Sequence, residues 1–117
     1  MRTGVFNSLR KTIMASFSLV PEPTFKAKVD IPVPGKKAQK LEFTFKWRGL
    51  DEFRAFMDNL GNYDDDTAVV LEIVTGWELS DAYTPENVEK LVKNYIGSAG
   101  AILNAYLREN AAARVGN

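Results

Sequence analysis

Two short segments of strict alternation constrain this chain more than anything else in it. In residues 24–31 the apolar side chains Phe25, Ala27, Val29 and Ile31 occupy every second position, with Lys26, Lys28 and Asp30 between them. Residues 41–47 repeat the pattern, with Leu41, Phe43, Phe45 and Trp47 set against Glu42, Thr44 and Lys46. Successive side chains of a strand point to opposite faces, so a period of two describes a strand with one dry face and one wet face. Between the segments lies PVPGKKAQ. Its Pro34-Gly35 step suits the centre of a type II turn, because Pro fixes φ and Gly accepts a positive φ. The two strands are expected to form an antiparallel hairpin. Phe25, Val29, Phe43, Phe45 and Trp47 should be shielded, and Lys26, Lys28, Lys46 and Glu42 should be exposed. A lone hairpin is marginal in water, so the aromatic face must cover helices or another chain.

Downstream the apolar spacing changes to that of helices. Phe53, Phe56, Met57 and Leu60 fall at i, i+3, i+4 and i+7, with Asp51 placed to cap the helix and Gly61 to stop it. Three consecutive Asp residues at 64–66 suit a helix start, where the macrodipole favours negative charge. The helix that follows is expected to carry Val70, Ile73, Val74 and Trp77. Thr84-Pro85-Glu86 is a second start, with Thr capping and Pro at the first helical position. Val88, Leu91, Val92 and Tyr95 form its expected buried face. Gly97 breaks this helix, and Ser98 is placed to cap a last one with Ala99, Ile102, Leu103 and Tyr106 on its stripe. Strands followed by a run of helices predict an α+β fold: an N-terminal antiparallel β-hairpin, then about four helices. Residues 14–110 read as the single domain. Residues 1–13 read as a poorly ordered N-terminal extension and 111–117 as a C-terminal tail.

Composition narrows the function. The 117 residues contain no Cys and no His. That excludes disulfides and thiolate or imidazole metal sites. The Asp run at 64–66 lacks the alternating ligands, the central Gly and the distal Glu of a calcium loop, so no metal is expected. Glu72, Glu78 and Asp81 sit among helix surface positions with no partner constellation, which argues against catalysis and against a cofactor. The run from Phe43 to Arg48 interleaves aromatics with basic groups, as single-strand nucleic-acid binders do. Alternation, however, sets its aromatics opposite Lys46, and the chain has no basic excess, so no nucleic-acid partner is expected. No apolar run approaches the roughly 20 residues that span a membrane. The net charge of zero is unevenly spread. Residues 1–48 carry ten Lys or Arg against three acids, a balance of +7, and residues 49–117 carry −7. Opposed halves of this kind favour a homo-oligomer.

Residues 69–110, VVLEIVTGWELSDAYTPENVEKLVKNYIGSAGAILNAYLREN, preceded by PTFKAKVDIPVPG and LEFTFKWR, resemble the small tail assembly chaperones of long-tailed bacteriophages of the siphophage type. The resemblance covers residues 17–110 and rests on order and wording, with no catalytic signature to carry over. It implies a non-enzymatic protein that binds and solubilises the tape measure protein and helps recruit tail tube subunits. It also implies action in the host bacterial cytoplasm, absence from the mature virion, and a longer form made by translational frameshifting. The alternative is a structural tail component or a small adaptor retained in the particle. Tyr63, Trp77 and Tyr83, near the helix junctions, are the candidate partner-binding residues, because aromatics are enriched at interface hot spots. Packing at helix ends is the competing reading of the same three residues.

A chain that begins at Met14 should keep the melting temperature and helical circular dichroism of the full chain. A clear loss of stability would show that Val5, Phe6 and Leu9 dock on the domain.

Overall fold

The alternating segments form β1 (Thr24–Val33) and β2 (Lys36–Lys46), paired antiparallel with Phe25 opposite Phe45 and Val29 opposite Leu41. This computed structural model describes residues 17–112. The expectation for residues 1–13, and most of that for 111–117, lies outside them. The strands run longer than expected, and only Pro34-Gly35 remains as the turn, with Gly35 at φ 73°. The dry face carries Val29, Ile31, Phe43 and Phe45, all buried, with Phe25 and Trp47 half-buried at the open end. Lys26, Lys28 and Lys46 are exposed as expected, whereas Glu42 is half-buried. Its backbone is held from the far side: the Glu42 N–H donates to the Glu78 carboxylate at 2.6 Å, and the Glu78 N–H donates to the Glu42 carbonyl at 3.1 Å.

Helices α1 (Leu50–Asp58), α2 (Asp66–Ile73), α3 (Pro85–Asn94) and α4 (Ser98–Asn110) follow, with a 3-10 turn at Leu60–Asn62. Two of the expected starts open helices, the acidic run through a cap at Asp65 and Thr84 as the expected cap. The Asp65 carboxylate accepts the Ala68 N–H at 2.9 Å, and the Thr84 hydroxyl accepts the Asn87 N–H at 3.1 Å. Two other expected caps fall elsewhere. Gly49 occupies the cap position of α1 and Asp51 lies in the first turn, where its charge faces the helix dipole. Gly97 occupies the cap position of α4, which leaves Ser98 wholly buried, its hydroxyl donating to the Leu91 carbonyl at 3.4 Å. A methyl group at Gly97 would meet the Pro32 ring at 3.0 Å, so the α3–α4 turn seats directly on the end of β1. Leu60 falls in the 3-10 turn, Met57 is exposed, and Tyr95 is exposed because α3 ends one residue before it.

The largest departure lies at residues 74–77. The expected helix stops at Ile73, and Val74–Trp77 forms β3 along the other side of β2, in the order β1-β2-β3. Val74 faces Phe45 and Trp77 faces Phe43, with a register shift around Thr75. Val74 and Thr75 are β-branched and Gly76 is a poor helix former, so propensity yields to the hydrogen bonds offered by the free edge of β2. The sheet is therefore three-stranded, and its dry face packs on α2 and α4. Tyr106 of α4 is fully buried among Phe25, Phe45, Phe53 and Phe56. Burial of rings such as Phe43 and Phe45 contributes about 2–3 kcal/mol each.

One buried cation joins these layers. Arg48, the second residue past β2, is 6% exposed. Its Nη1 donates to the Tyr106 hydroxyl at 3.0 Å, and its Nη2 donates to the Glu72 carboxylate at 2.5 Å and to the Glu72 carbonyl at 3.3 Å. The guanidinium lies 4.6 Å from the Phe56 ring centre. The Asn110 side chain clasps the Arg48 backbone, accepting its N–H and donating to its carbonyl, both at 2.9 Å. Sheet, α1, α2 and the end of α4 thus meet at one residue. Removing Glu72 leaves an uncompensated buried charge, whereas removing Arg48 leaves a carboxylate that is 39% exposed and stays hydrated. Glu72→Ala should therefore destabilise the protein by about 3 kcal/mol and Arg48→Met by less. Urea unfolding of both variants checks this; equal or reversed costs would contradict it.

Candidate functional site

Trp77 ends β3, and the chain then crosses to Thr84 and α3. Its two aromatic rings both help to fix this crossing through hydrogen bonds. The Trp77 indole N–H donates to the Asp81 carbonyl at 2.8 Å, and the Tyr83 hydroxyl donates to the Val74 carbonyl at 2.6 Å. The two rings meet edge to face with centres 5.1 Å apart, and Trp77 packs in the same manner on Phe43 at 6.4 Å. Both side chains are half-buried. They are amphipathic plugs, with the apolar body on the core and the polar tip used to hold backbone.

Beside Trp77 an open groove of about 480 Å³ runs between the turn end of the hairpin and α3. Ile31, Leu41, Trp77, Leu79, Leu91 and Tyr95 supply its apolar surface, and Lys36, Lys90 and Asp81 stand among its polar groups. Ile96, in the turn beyond Tyr95, is 88% exposed. Such a trough has the makings of a seat for an apolar stripe on another chain.

The structure thus brings Trp77 and Tyr83 together and sets Tyr63 apart from them. Tyr63 follows the 3-10 turn, is half-buried, and packs on Phe56 at 6.1 Å. The groove itself escaped the sequence reading because it needs Val74–Trp77 to be a strand. Leu79 and Leu91 then face the hairpin across it. Among the described residues no three His, Cys, Asp or Glu side chains are grouped to hold a metal. No helix among them is long and apolar enough to cross a membrane.

Burial pushes the Tyr83 hydroxyl up to about 12. Its proton is held more tightly folded than unfolded, so its contribution to stability is intact below the ordinary tyrosine value near 10. That contribution is lost as pH rises toward 12. Tyr83→Phe should remove this alkaline loss and cost about 1 kcal/mol at neutral pH through the missing bond to Val74. Thermal melts between pH 7 and the alkaline range check both effects. An unchanged alkaline profile in the variant would contradict the assignment.

Comparison with known proteins supplies what the geometry does not. The sequence model of the phage tail assembly chaperones matches residues 14–117. No curated protein and no solved structure matches the chain. With an α+β fold built from the expected hairpin and four helices, and a match over most of its length, this chain belongs to the phage tail assembly chaperone family.

Proposed function

We propose that this protein binds the tape measure protein during phage tail assembly, keeps that long helical polypeptide soluble, and helps recruit tail tube subunits, all without catalysis. Membership of the tail assembly chaperone family carries the reading. A long helical chain with unpartnered apolar stripes aggregates unless those stripes are covered. Helix-in-groove docking covers them by seating an amphipathic helix in an apolar trough. The groove beside Trp77 offers such a trough, with Leu79, Leu91 and Tyr95 along it. Trp77 is the proposed anchor in this groove and Tyr83 its neighbour, both held rigid by their bonds to Asp81 and Val74. Tyr63 would act at a separate place, on the Phe56 side. The setting is the host bacterial cytoplasm, and the protein leaves before the virion is complete.

Co-expression tests this. The tape measure protein should be soluble and co-purify with the wild-type chain. Leu79→Asp with Leu91→Asp, checked by circular dichroism for an intact fold, should lower the recovered partner by roughly tenfold or more, as loss of a hot-spot contact does. A partner that is equally insoluble with and without the wild-type chain, and that never co-purifies, overturns the proposal.

A further inference from the structure

Among the described residues the sheet has one long edge without a strand partner, β1, since β2 is central and β3 spans only four residues on the other side. Which backbone groups point outward there follows from one bond. The Trp47 N–H donates to the Pro23 carbonyl at 2.9 Å, and this pair continues the register of Thr24 opposite Lys46. Hydrogen-bonded and non-bonded pairs alternate along an antiparallel ladder. The bonded pairs of β1 are therefore those of Phe25, Ala27, Val29 and Ile31. The N–H and C=O groups of Lys26, Lys28 and Asp30 point away from β2. The same parity on β2 sends the Glu42 carbonyl toward Glu78, as observed.

Lysines on an edge usually forbid further pairing. Here Asp30 stands two positions from Lys28, and that spacing changes the outcome. Three antiparallel registers of β1 with a second β1 keep the dry faces aligned about this stretch. A two-fold axis at Lys28 sets Lys28 against itself, and one at Asp30 sets Asp30 against itself. An axis at Val29 sets each Lys28 opposite the other copy's Asp30. Within each chain Lys28 already faces Glu42, and Asp30 faces Lys40 with an ion pair at 3.1 Å. In the third register a row of alternating sign crosses four strands: Lys40, Asp30, then Lys28 and Glu42 of the second copy. Beneath it Val29 meets Val29 and Ala27 meets Ile31. Lys26 meets Pro32, whose missing N–H removes one bond at each end.

We infer that the edge of β1, unpaired among the described residues, pairs with β1 of a second copy about Val29, joining two three-stranded sheets into one of six strands. Like charges directly opposite oppose strand pairing and unlike charges favour it. In the Lys28→Glu homodimer each introduced carboxylate stands against the other copy's Asp30, so two acid pairs form. In the Asp30→Lys homodimer each introduced ammonium stands against the other copy's Lys28, so two basic pairs form. Mixed, the two variants form a heterodimer in which every such pair is again of unlike charge. Sedimentation of wild type, each variant and the 1:1 mixture, with circular dichroism to confirm folding, reads the effect. The wild type should dimerise, each variant should dimerise on the order of tenfold more weakly, and the mixture should recover the wild-type affinity. A wild type that stays monomeric at high concentration, variants that dimerise as well as wild type, or a mixture no better than its components each overturn the inference.

Discussion

The buried guanidinium of Arg48 is the constraint around which this small fold is arranged. A cation with 6% exposure needs donors matched to acceptors and a counter-charge. Each comes from a different element: a carboxylate and a carbonyl from Glu72 in α2, a hydroxyl from Tyr106 in α4, and an aromatic face from Phe56 in α1. Because Arg48 lies two residues past β2, these demands fix where the sheet sits relative to three helices. The Asn110 side chain completes the joint by standing in for a paired strand at the Arg48 backbone. The aromatic cluster around Tyr106 supplies the apolar driving force. The charged joint supplies direction, since hydrophobic burial alone does not choose among similar packings. The same surroundings raise the Tyr106 hydroxyl through burial, and the neighbouring Arg48 offsets this in part.

With the helices held on one face, the wet face and the β1 edge stay uncovered among the described residues. The turn end of the hairpin and α3 border the apolar groove; Trp77 lines it, and Tyr83 packs edge to face on Trp77, each ring fixed by a bond to a backbone carbonyl. Anchors that are already immobile lose little entropy when a partner arrives. The outer edge of β1 carries its charges on the opposite side of the hairpin from β3. The groove proposed for a foreign helix and the edge proposed for another copy meet at Ile31, which lines the first and would stand opposite Ala27 of the second copy. Adjoining seats of this kind would suit the proposed role of covering a long helical polypeptide.

Much of the fold was legible because local signals agreed with tertiary ones. Alternation in β1 and β2, the Pro34-Gly35 turn, the acidic helix start at residues 64–66 and the Thr84 cap all depend on near neighbours in sequence. Three features did not. Val74–Trp77 reads as the last turn of a helix, because Val70, Ile73, Val74 and Trp77 keep helical spacing; only the open edge of β2, far upstream, turns it into a strand. Ser98 looks like a cap, but the seat of Gly97 against Pro32 moves the helix start and buries the hydroxyl. Arg48 counts as one more surface charge in the basic N-terminal half until Glu72, Tyr106 and Asn110 are brought to it by folding. The groove inherits the first of these misreadings. Trp77 and Tyr83 were singled out by residue type, and their pairing depends on the strand.

The claim that Arg48 ties sheet and helices into one cooperative unit is tested most directly by native-state hydrogen exchange. The Arg48 amide, bonded to the Asn110 side chain, lies outside any strand and would exchange quickly if the joint opened locally. The account predicts that it exchanges only through global unfolding, with the same free energy and denaturant dependence as the amides of Phe43, Phe45 and Tyr106. An Arg48 amide that exchanges by a low-energy local opening, while those core amides stay protected, would contradict it.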